Sequence, residues 1–183
     1  MTEIADRYRT VAAGFSARVD NVAAGSWNAP APCEGWVARD VVRHLAEWVP
    51  GMFFAKAGIE VTLPSIDADP AATWHALDDA LQALLDDSEQ VDKEEQYGAG
   101  VMPIGQAVAM FGLGDVLIHT WDLARATGQD DTLDLHEVDA LYEQMTNFPE
   151  DRMRSGGMFG PRVEVPDDAD AQTKLIAYTG RQP

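Results

Sequence analysis

Cysteine and basic side chains are scarce in this sequence. A single cysteine, Cys33, rules out an internal disulfide and fits a reducing compartment. The 13 lysines and arginines are outnumbered by 31 acidic residues, which gives a formal net charge of -18. Nucleic acids and anionic membranes are therefore poor partners, because binding to them depends on basic patches. The sequence shows no signal peptide and no apolar run approaching a membrane span, so we expect a cytoplasmic protein.

What the sequence does contain is helical periodicity. Its 183 residues have the length of one domain, 1–183, and a hydrophobic content of 46% supports a folded core. Apolar residues recur at spacings of three and four, the period of amphipathic helices. We predict an all-α fold whose four main helices form a bundle, at about residues 2–24, 37–56, 70–88 and 104–127. Two shorter helices are expected at about residues 134–147 and 168–178.

The segments between these helices carry weaker signals. Pro50 should kink or interrupt the second helix, because proline lacks the N–H that a helix interior needs. Residues 91–103 are predicted to form a polar crossing, and residues 152–162 a glycine-rich loop. Residues 163–165 are candidates for an extended segment without a partner strand. The many acidic residues between Asp78 and Glu95 are interpreted as a solvated face.

The fourth predicted helix carries the most informative pair of residues, Asp115 and His119. They are four positions apart, so they share a helix face with Cβ atoms about 5–6 Å apart. A carboxylate and an imidazole at this separation can hold one divalent metal ion, although a catalytic zinc centre usually takes three protein ligands. An ionised carboxylate on so apolar a helix needs a partner. A metal would supply one, and so would Arg43 or Arg125.

His44 is the strongest candidate for the third ligand. It lies beside an apolar stripe on the second helix, formed by Val37, Val41, Leu45 and Trp48. An imidazole that points into a core needs a partner for each ring nitrogen. Either a metal shared with Asp115 and His119 or a hydrogen bond to a carboxylate would provide one.

Other polar residues are assigned different roles. Asp122, three positions after His119, is a candidate fourth ligand, a partner that orients His119, or a salt-bridge partner of Arg125. His75 and His136 are interpreted as surface residues. Cys33 has no histidine nearby in sequence, so a small buried hydrophobe is favoured over a nucleophile.

Three stretches of the chain resemble a known superfamily. The first is Trp-Asn-Ala-Pro-Ala-Pro-Cys-Glu-Gly-Trp at residues 27–36, followed by residues 40–45. The second is Asp-Val-Leu-Ile-His-Thr-Trp-Asp-Leu-Ala-Arg-Ala-Thr-Gly at residues 115–128. The third is Met-Phe-Gly-Pro-Arg-Val-Glu-Val-Pro-Asp-Asp-Ala at residues 158–169, together with the C-terminal residues 175–183. Together they resemble the DinB-like metal-binding proteins, in the branch that contains mycothiol-dependent maleylpyruvate isomerase and its single-domain relatives.

The resemblance implies a four-helix bundle with one divalent metal, held by His44, Asp115 and His119. In the isomerase the acid is a glutamate, so Asp115 is one methylene shorter. The resemblance also implies mycothiol as a thiol cosubstrate. Because the isomerase carries an additional C-terminal domain and this sequence ends at Pro183, we expect no efficient isomerisation of maleylpyruvate.

These observations predict a divalent-metal-binding protein that acts as a thiol-dependent transferase or isomerase on an unidentified substrate. The alternatives are a non-catalytic metal-binding bundle and a metal-free polar network of the same residues. Zinc is the first choice of metal, and nickel and iron suit the same ligands. The expected partners are a small-molecule thiol or electrophile, and the sequence is compatible with a homodimer.

Overall fold

A computed structural model describes residues 2–98, 100–155 and 159–183 of the chain. Its four long helices pack around a common core. They are α1 (Glu3–Asp20), α2 (Ala38–Val49), α3 (Pro70–Asp86) and α4 (Leu113–Thr127). Helices α1 and α2 each contact both α3 and α4. The predicted all-α class is confirmed.

Polar side chains begin these helices at defined points. Thr2 accepts a hydrogen bond from Ala5 at the start of α1. At the start of α2, the Asp40 carboxylate accepts the backbone N–H of Val37 at 2.9 Å. Asp69 caps α3, and Pro70 occupies its first position, where a missing N–H costs nothing.

A π-helical segment adjoins each of the two helices that carry the candidate ligands. Helix α2 passes into a π-helical segment at Pro50–Phe54, where Pro50 was predicted to interrupt it, and then into a last turn at Ala55–Ala57. Helix α4 is preceded by Ile104–Ala107 and a π-helical segment at Val108–Gly112. A Cβ at Gly112 would lie 3.4 Å from the Phe53 ring, an ordinary van der Waals distance, so the two π-helical segments pack side by side here. Such π-helical insertions are frequently found at functional sites.

The segment Ile104–Thr127 is the central and most apolar part of the fold. By length and composition alone it would suffice to cross a membrane, with a mean hydropathy of 1.2. In the structure 78% of its apolar window is buried against the other helices. This burial is what a core helix of a folded domain shows, and a helix apolar on every side is expected in the centre.

Three further helices follow on the C-terminal side: α5 (Leu135–Thr146), α6 (Glu150–Ser155) and α7 (Ala171–Tyr178). Asp134 caps α5, and Asp170 caps α7 by accepting a hydrogen bond from Thr173. Helix α7 packs against α5. After α7, Gly180 adopts a left-handed conformation with φ of 87°.

The structure corrects several predicted boundaries. Helix α1 ends at Asp20 rather than near residue 24, because the side chain and backbone N–H of Asn21 satisfy carbonyls of the last turn. The predicted crossing at 91–103 contains an antiparallel hairpin of β1 (Glu94–Tyr97) and β2 (Gly100–Pro103). Helix α6 extends into the predicted loop at 152–162. Residues 163–165 form no strand, and Met158 of the C-terminal resemblance lies outside the described residues.

Candidate metal centre

Packing of α2 against α4 brings the three predicted ligands together. Asp115 and His119 lie one turn apart on α4, and His44 faces them from α2. Their donor atoms all lie within 4.8 Å of one another. Nε2 of His44 is 3.2 Å from Oδ2 of Asp115, and Nε2 of His119 is 3.5 Å from Oδ1 of the same carboxylate. The two imidazoles therefore face different oxygens of the same aspartate.

The cluster is open on one side. The side chain of His119 is 5% exposed, whereas those of His44 and Asp115 are 35% and 26% exposed. A metal ion or a small molecule can therefore approach past His44 and Asp115, while His119 forms the closed inner wall.

Two tryptophans border the cluster. The Trp36 ring stacks on His119 with centroids 5.8 Å apart, and its centroid is 5.3 Å from that of His44. Trp48 donates a hydrogen bond from its indole N–H to Oδ2 of Asp115 at 2.8 Å, and its ring packs against Phe53. The sequence pattern had indicated only a packing role for Trp48.

Asp115 is ionised in this environment. Burial would raise its pKa, but the charge of His119 and the hydrogen bonds from His44 and Trp48 lower it below its ordinary value. Neither arginine named as a potential partner reaches it. Arg43 pairs with Asp40 and Asp67, and Arg125 pairs with Asp131.

The other ring nitrogen of His119 faces a second carboxylate. Nδ1 lies 2.8 Å from Oδ2 of Asp122, whose side chain is 0% exposed. Arg181 binds both oxygens of Asp122, donating from Nε to Oδ1 and from Nη2 to Oδ2, each at 2.7 Å. Burial would raise the pKa of Asp122, but the hydrogen bonds from His119 and Arg181 lower it to about 2. The predicted salt bridge of Asp122 with Arg125 is therefore wrong, and its predicted role beside His119 agrees with this contact.

Cys33 completes the inner side of this network. Its Sγ lies 3.6 Å from Oδ2 of Asp122 and accepts a hydrogen bond from Nη2 of Arg181 at 3.3 Å. Burial and the negative charge of Asp122 raise the pKa of the thiol to about 11. The residue is only partly buried and lies in a charged cluster, so the prediction of a buried hydrophobe is wrong about its surroundings. The raised pKa favours the neutral thiol over the thiolate, which is the nucleophilic form.

The two remaining histidines lie elsewhere on the surface. Nε2 of His75 is 2.7 Å from Oδ1 of Asp20, with both side chains exposed. His136 is 82% exposed. Both agree with the sequence interpretation, and they leave His44 and His119 as the histidines of the cluster.

The chain matches the family described as the mycothiol maleylpyruvate isomerase N-terminal domain over residues 8–124, a span that includes His44, Asp115 and His119. The chain belongs to this family. It is also 30% identical over 174 residues to uncharacterized proteins from two strains of Mycobacterium tuberculosis, with 91% of each chain covered. No solved structure matches it significantly.

Proposed function

We propose that this chain is a divalent-metal-binding protein with His44, Asp115 and His119 as its protein ligands. The observation that carries the proposal is the convergence of two imidazole nitrogens and one ionised carboxylate within 4.8 Å. Cys33, His119 and Asp122 also lie within this distance of one another, but Arg181 already binds both oxygens of Asp122. Among residues 2–98, 100–155 and 159–183, no lysine or arginine forms an ion pair with Asp115. A divalent cation would compensate a charge that these residues leave without a permanent cationic partner.

The chemistry of the donor atoms fits such an ion. Two imidazoles and a carboxylate suit zinc, our first choice, and also nickel and iron. Histidines that bind metals almost always donate their other N–H to a carboxylate or carbonyl, as Nδ1 of His119 is placed to do toward Asp122. The hydrogen bond from Trp48 holds the Asp115 carboxylate in position.

The arrangement also supports chemistry on a bound substrate. A metal in a three-ligand centre polarises carbonyls and lowers the pKa of a coordinated thiol. Trp36 shields the inner imidazole from water, and the exposed edge at His44 and Asp115 admits a small molecule. We propose a thiol-dependent transferase or isomerase in the cytoplasm, with mycothiol as the thiol, on the basis of the family to which the chain belongs. The second candidate is a metal-binding bundle without catalysis.

Elemental analysis of protein purified without a histidine tag tests the metal site. We expect one divalent ion per chain, and none in His119→Ala, because two protein ligands seldom retain a metal in water. Asp115→Asn should keep the fold and lower the affinity. His75→Ala and His136→Ala are matched controls that remove surface imidazoles and should leave the metal content unchanged. Metal that survives both His44→Ala and His119→Ala would place the site elsewhere.

A spectroscopic titration tests the use of a thiol. Cobalt-loaded protein is titrated with mycothiol, and separately with an alcohol of similar size, while the near-ultraviolet and visible spectra are recorded. A new thiolate-to-cobalt band that saturates with mycothiol alone supports the thiol-dependent function. A spectrum unchanged by excess thiol would favour the non-catalytic candidate.

A further inference from the structure

We infer that Arg181 is a positioning residue for His119, acting through Asp122. In this arrangement, Arg181 holds the Asp122 carboxylate in a single orientation. The carboxylate then keeps the proton of His119 on Nδ1 and leaves Nε2 free to face Asp115. The consequence for metal affinity rests on the function proposed above, whereas the consequence for the imidazole ring holds in metal-free protein as well.

The first step of the argument is the geometry around Asp122. Its Oδ1 accepts a hydrogen bond from Nε of Arg181, and its Oδ2 accepts one from Nη2, each at 2.7 Å. A guanidinium that binds both oxygens of a carboxylate fixes its plane as well as its position. Since Asp122 is 0% exposed, water cannot replace either contact.

The second step is the chemistry of the imidazole. A guanidinium remains protonated in proteins, and a carboxylate paired with it through both oxygens is an acceptor only. The 2.8 Å contact with Oδ2 of Asp122 therefore requires a hydrogen on Nδ1 of His119. In the neutral ring the lone pair is then on Nε2, the atom that lies 3.5 Å from Asp115. Without a fixed Asp122, either nitrogen could carry the proton.

The third step is the route by which Arg181 reaches this position from the end of the chain. Gln172 anchors α7 by accepting from the backbone of Leu133 and donating to the carbonyl of Asp131. At the end of α7, left-handed Gly180 turns the chain, and the backbone N–H of Arg181 returns to the carbonyl of Ile176 at 3.3 Å. The Arg181 side chain is 11% exposed and crosses to α4. The C-terminal segment thus supplies a partner for a site whose ligands lie on α2 and α4.

Replacement of Arg181 separates this role from simple charge compensation. Arg181→Lys keeps the positive charge, but one ammonium group lacks the planar fork that binds both oxygens. Arg181→Ala removes both properties. Arg125→Ala is the matched control, because Arg125 lies on α4 three residues after Asp122 and pairs with Asp131 at a partly exposed position.

Two readouts are measured on each variant. The first is the ring nitrogen chemical shifts of His119 in metal-free protein, recorded at a pH where the imidazole is neutral, because only the neutral ring has a tautomer to report. The second is the dissociation constant for Co²⁺, determined by competition with a chelator on samples shown by circular dichroism to be folded. The four histidines of the chain make assignment by single replacements practical.

We expect wild type and Arg125→Ala to show the Nδ1–H tautomer and equal cobalt affinities. Arg181→Ala should lose the single tautomer and bind cobalt about 10–100-fold more weakly, the usual effect of removing an outer partner of a metal ligand. Arg181→Lys should bind cobalt about 10-fold more weakly than wild type. If Arg181→Ala does not fold, Arg181→Lys decides the matter by the same two readouts.

An unchanged Nδ1–H tautomer together with a cobalt affinity within about twofold of wild type, in the folded variant, would overturn the inference. If wild type binds no cobalt, the proposed function fails. The tautomer measurement alone then decides the positioning role, so the two failures are distinguishable.

Discussion

Asp115 and Asp122 are two carboxylates on one helix that contact the same histidine from opposite sides. Asp122 is fully buried and carries a built-in cation, because Arg181 binds both of its oxygens. Asp115 is 26% exposed, and its described partners are two imidazoles and an indole N–H rather than a lysine or arginine. We infer that the position with the permanent cation has a structural role, and we propose that an external cation binds at the position without one.

This contrast shows why burial alone does not identify a binding site. The more buried aspartate is the one whose charge the protein has already compensated. The partly exposed aspartate is ionised, oriented by Trp48 and accessible to solvent. Metal sites need all three of these properties, since the ligand must be deprotonated, pre-positioned and reachable.

The largest expected effect on stability is at Asp122, the buried member of the pair. Asp122→Asn leaves the Arg181 charge without its partner and should destabilise metal-free protein by about 3–5 kcal/mol. Asp115→Asn should cost less than about 1 kcal/mol, because its site is partly exposed and its hydrogen bond from Trp48 can persist. Urea denaturation of both variants measures the difference. Equal losses of stability in the two variants, or a larger loss in Asp115→Asn, would contradict the structural role of Asp122.

A second prediction concerns the turn that places Arg181. Gly180→Ala should destabilise the protein by at least about 1–2 kcal/mol, because its φ of 87° strains any residue with a Cβ. The added Cβ would also lie 2.8 Å from the backbone of Gly160. Gly14→Ala in α1 is the matched control, with a negative φ and no atom within 4 Å of the added Cβ. This control should leave the stability unchanged or raise it by up to about 1 kcal/mol. A Gly180→Ala protein as stable as the control would show that the turn does not require glycine.

A third prediction concerns the reactivity of the Cys33 thiol, which lies beside Asp122. A pKa of about 11 instead of 9.0 favours the neutral thiol, so at pH 8 Cys33 should hold about 100-fold less thiolate than an unperturbed cysteine. Alkylation by iodoacetamide should be slower by that factor in folded protein and normal in urea. As the pH rises from 9 toward 11, the rate in folded protein should climb. Rapid alkylation at pH 8 would show that the cluster stabilises the thiolate.

The smallest effect is expected at the surface. His75→Ala removes an exposed contact with Asp20, and such pairs contribute about 0–1 kcal/mol. Thermal unfolding should shift little, and the metal content should not change. A loss of metal in this variant would show that a residue remote from the cluster controls binding.

Local sequence patterns identified Asp115, His119 and His44 as candidates, and the family resemblance joined them into one ligand set. Asp115 and His119 share a face because they are four positions apart, and the inward stripe on the second helix placed His44 beside the core. The helix starts near Pro70 and Asp134 also follow from local sequence signals, whereas the last helix, expected from about residue 168, begins at Ala171 after its cap Asp170.

The second half of the network depends on contacts that no local pattern encodes. Arg181 meets Asp122 across 59 positions in sequence, through the packing of α7 and the turn at Gly180. Cys33 joins them from a connector 89 positions before Asp122. Neither contact has a periodic signal in the sequence, because residues in connectors and chain ends follow no helical repeat. Likewise, the hairpin at residues 94–103 is too short for alternation of apolar residues to reveal it.

An anomalous difference map of the zinc-loaded protein, collected on either side of the zinc absorption edge, tests the central claim most directly. We predict one peak per chain, in contact with Nε2 of His44, a carboxylate oxygen of Asp115 and Nε2 of His119. Asp122 should remain bound to Arg181 in the same crystal. A peak between Cys33 and Asp122, or a zinc-loaded protein whose peak lies away from His44 and His119, would contradict the account.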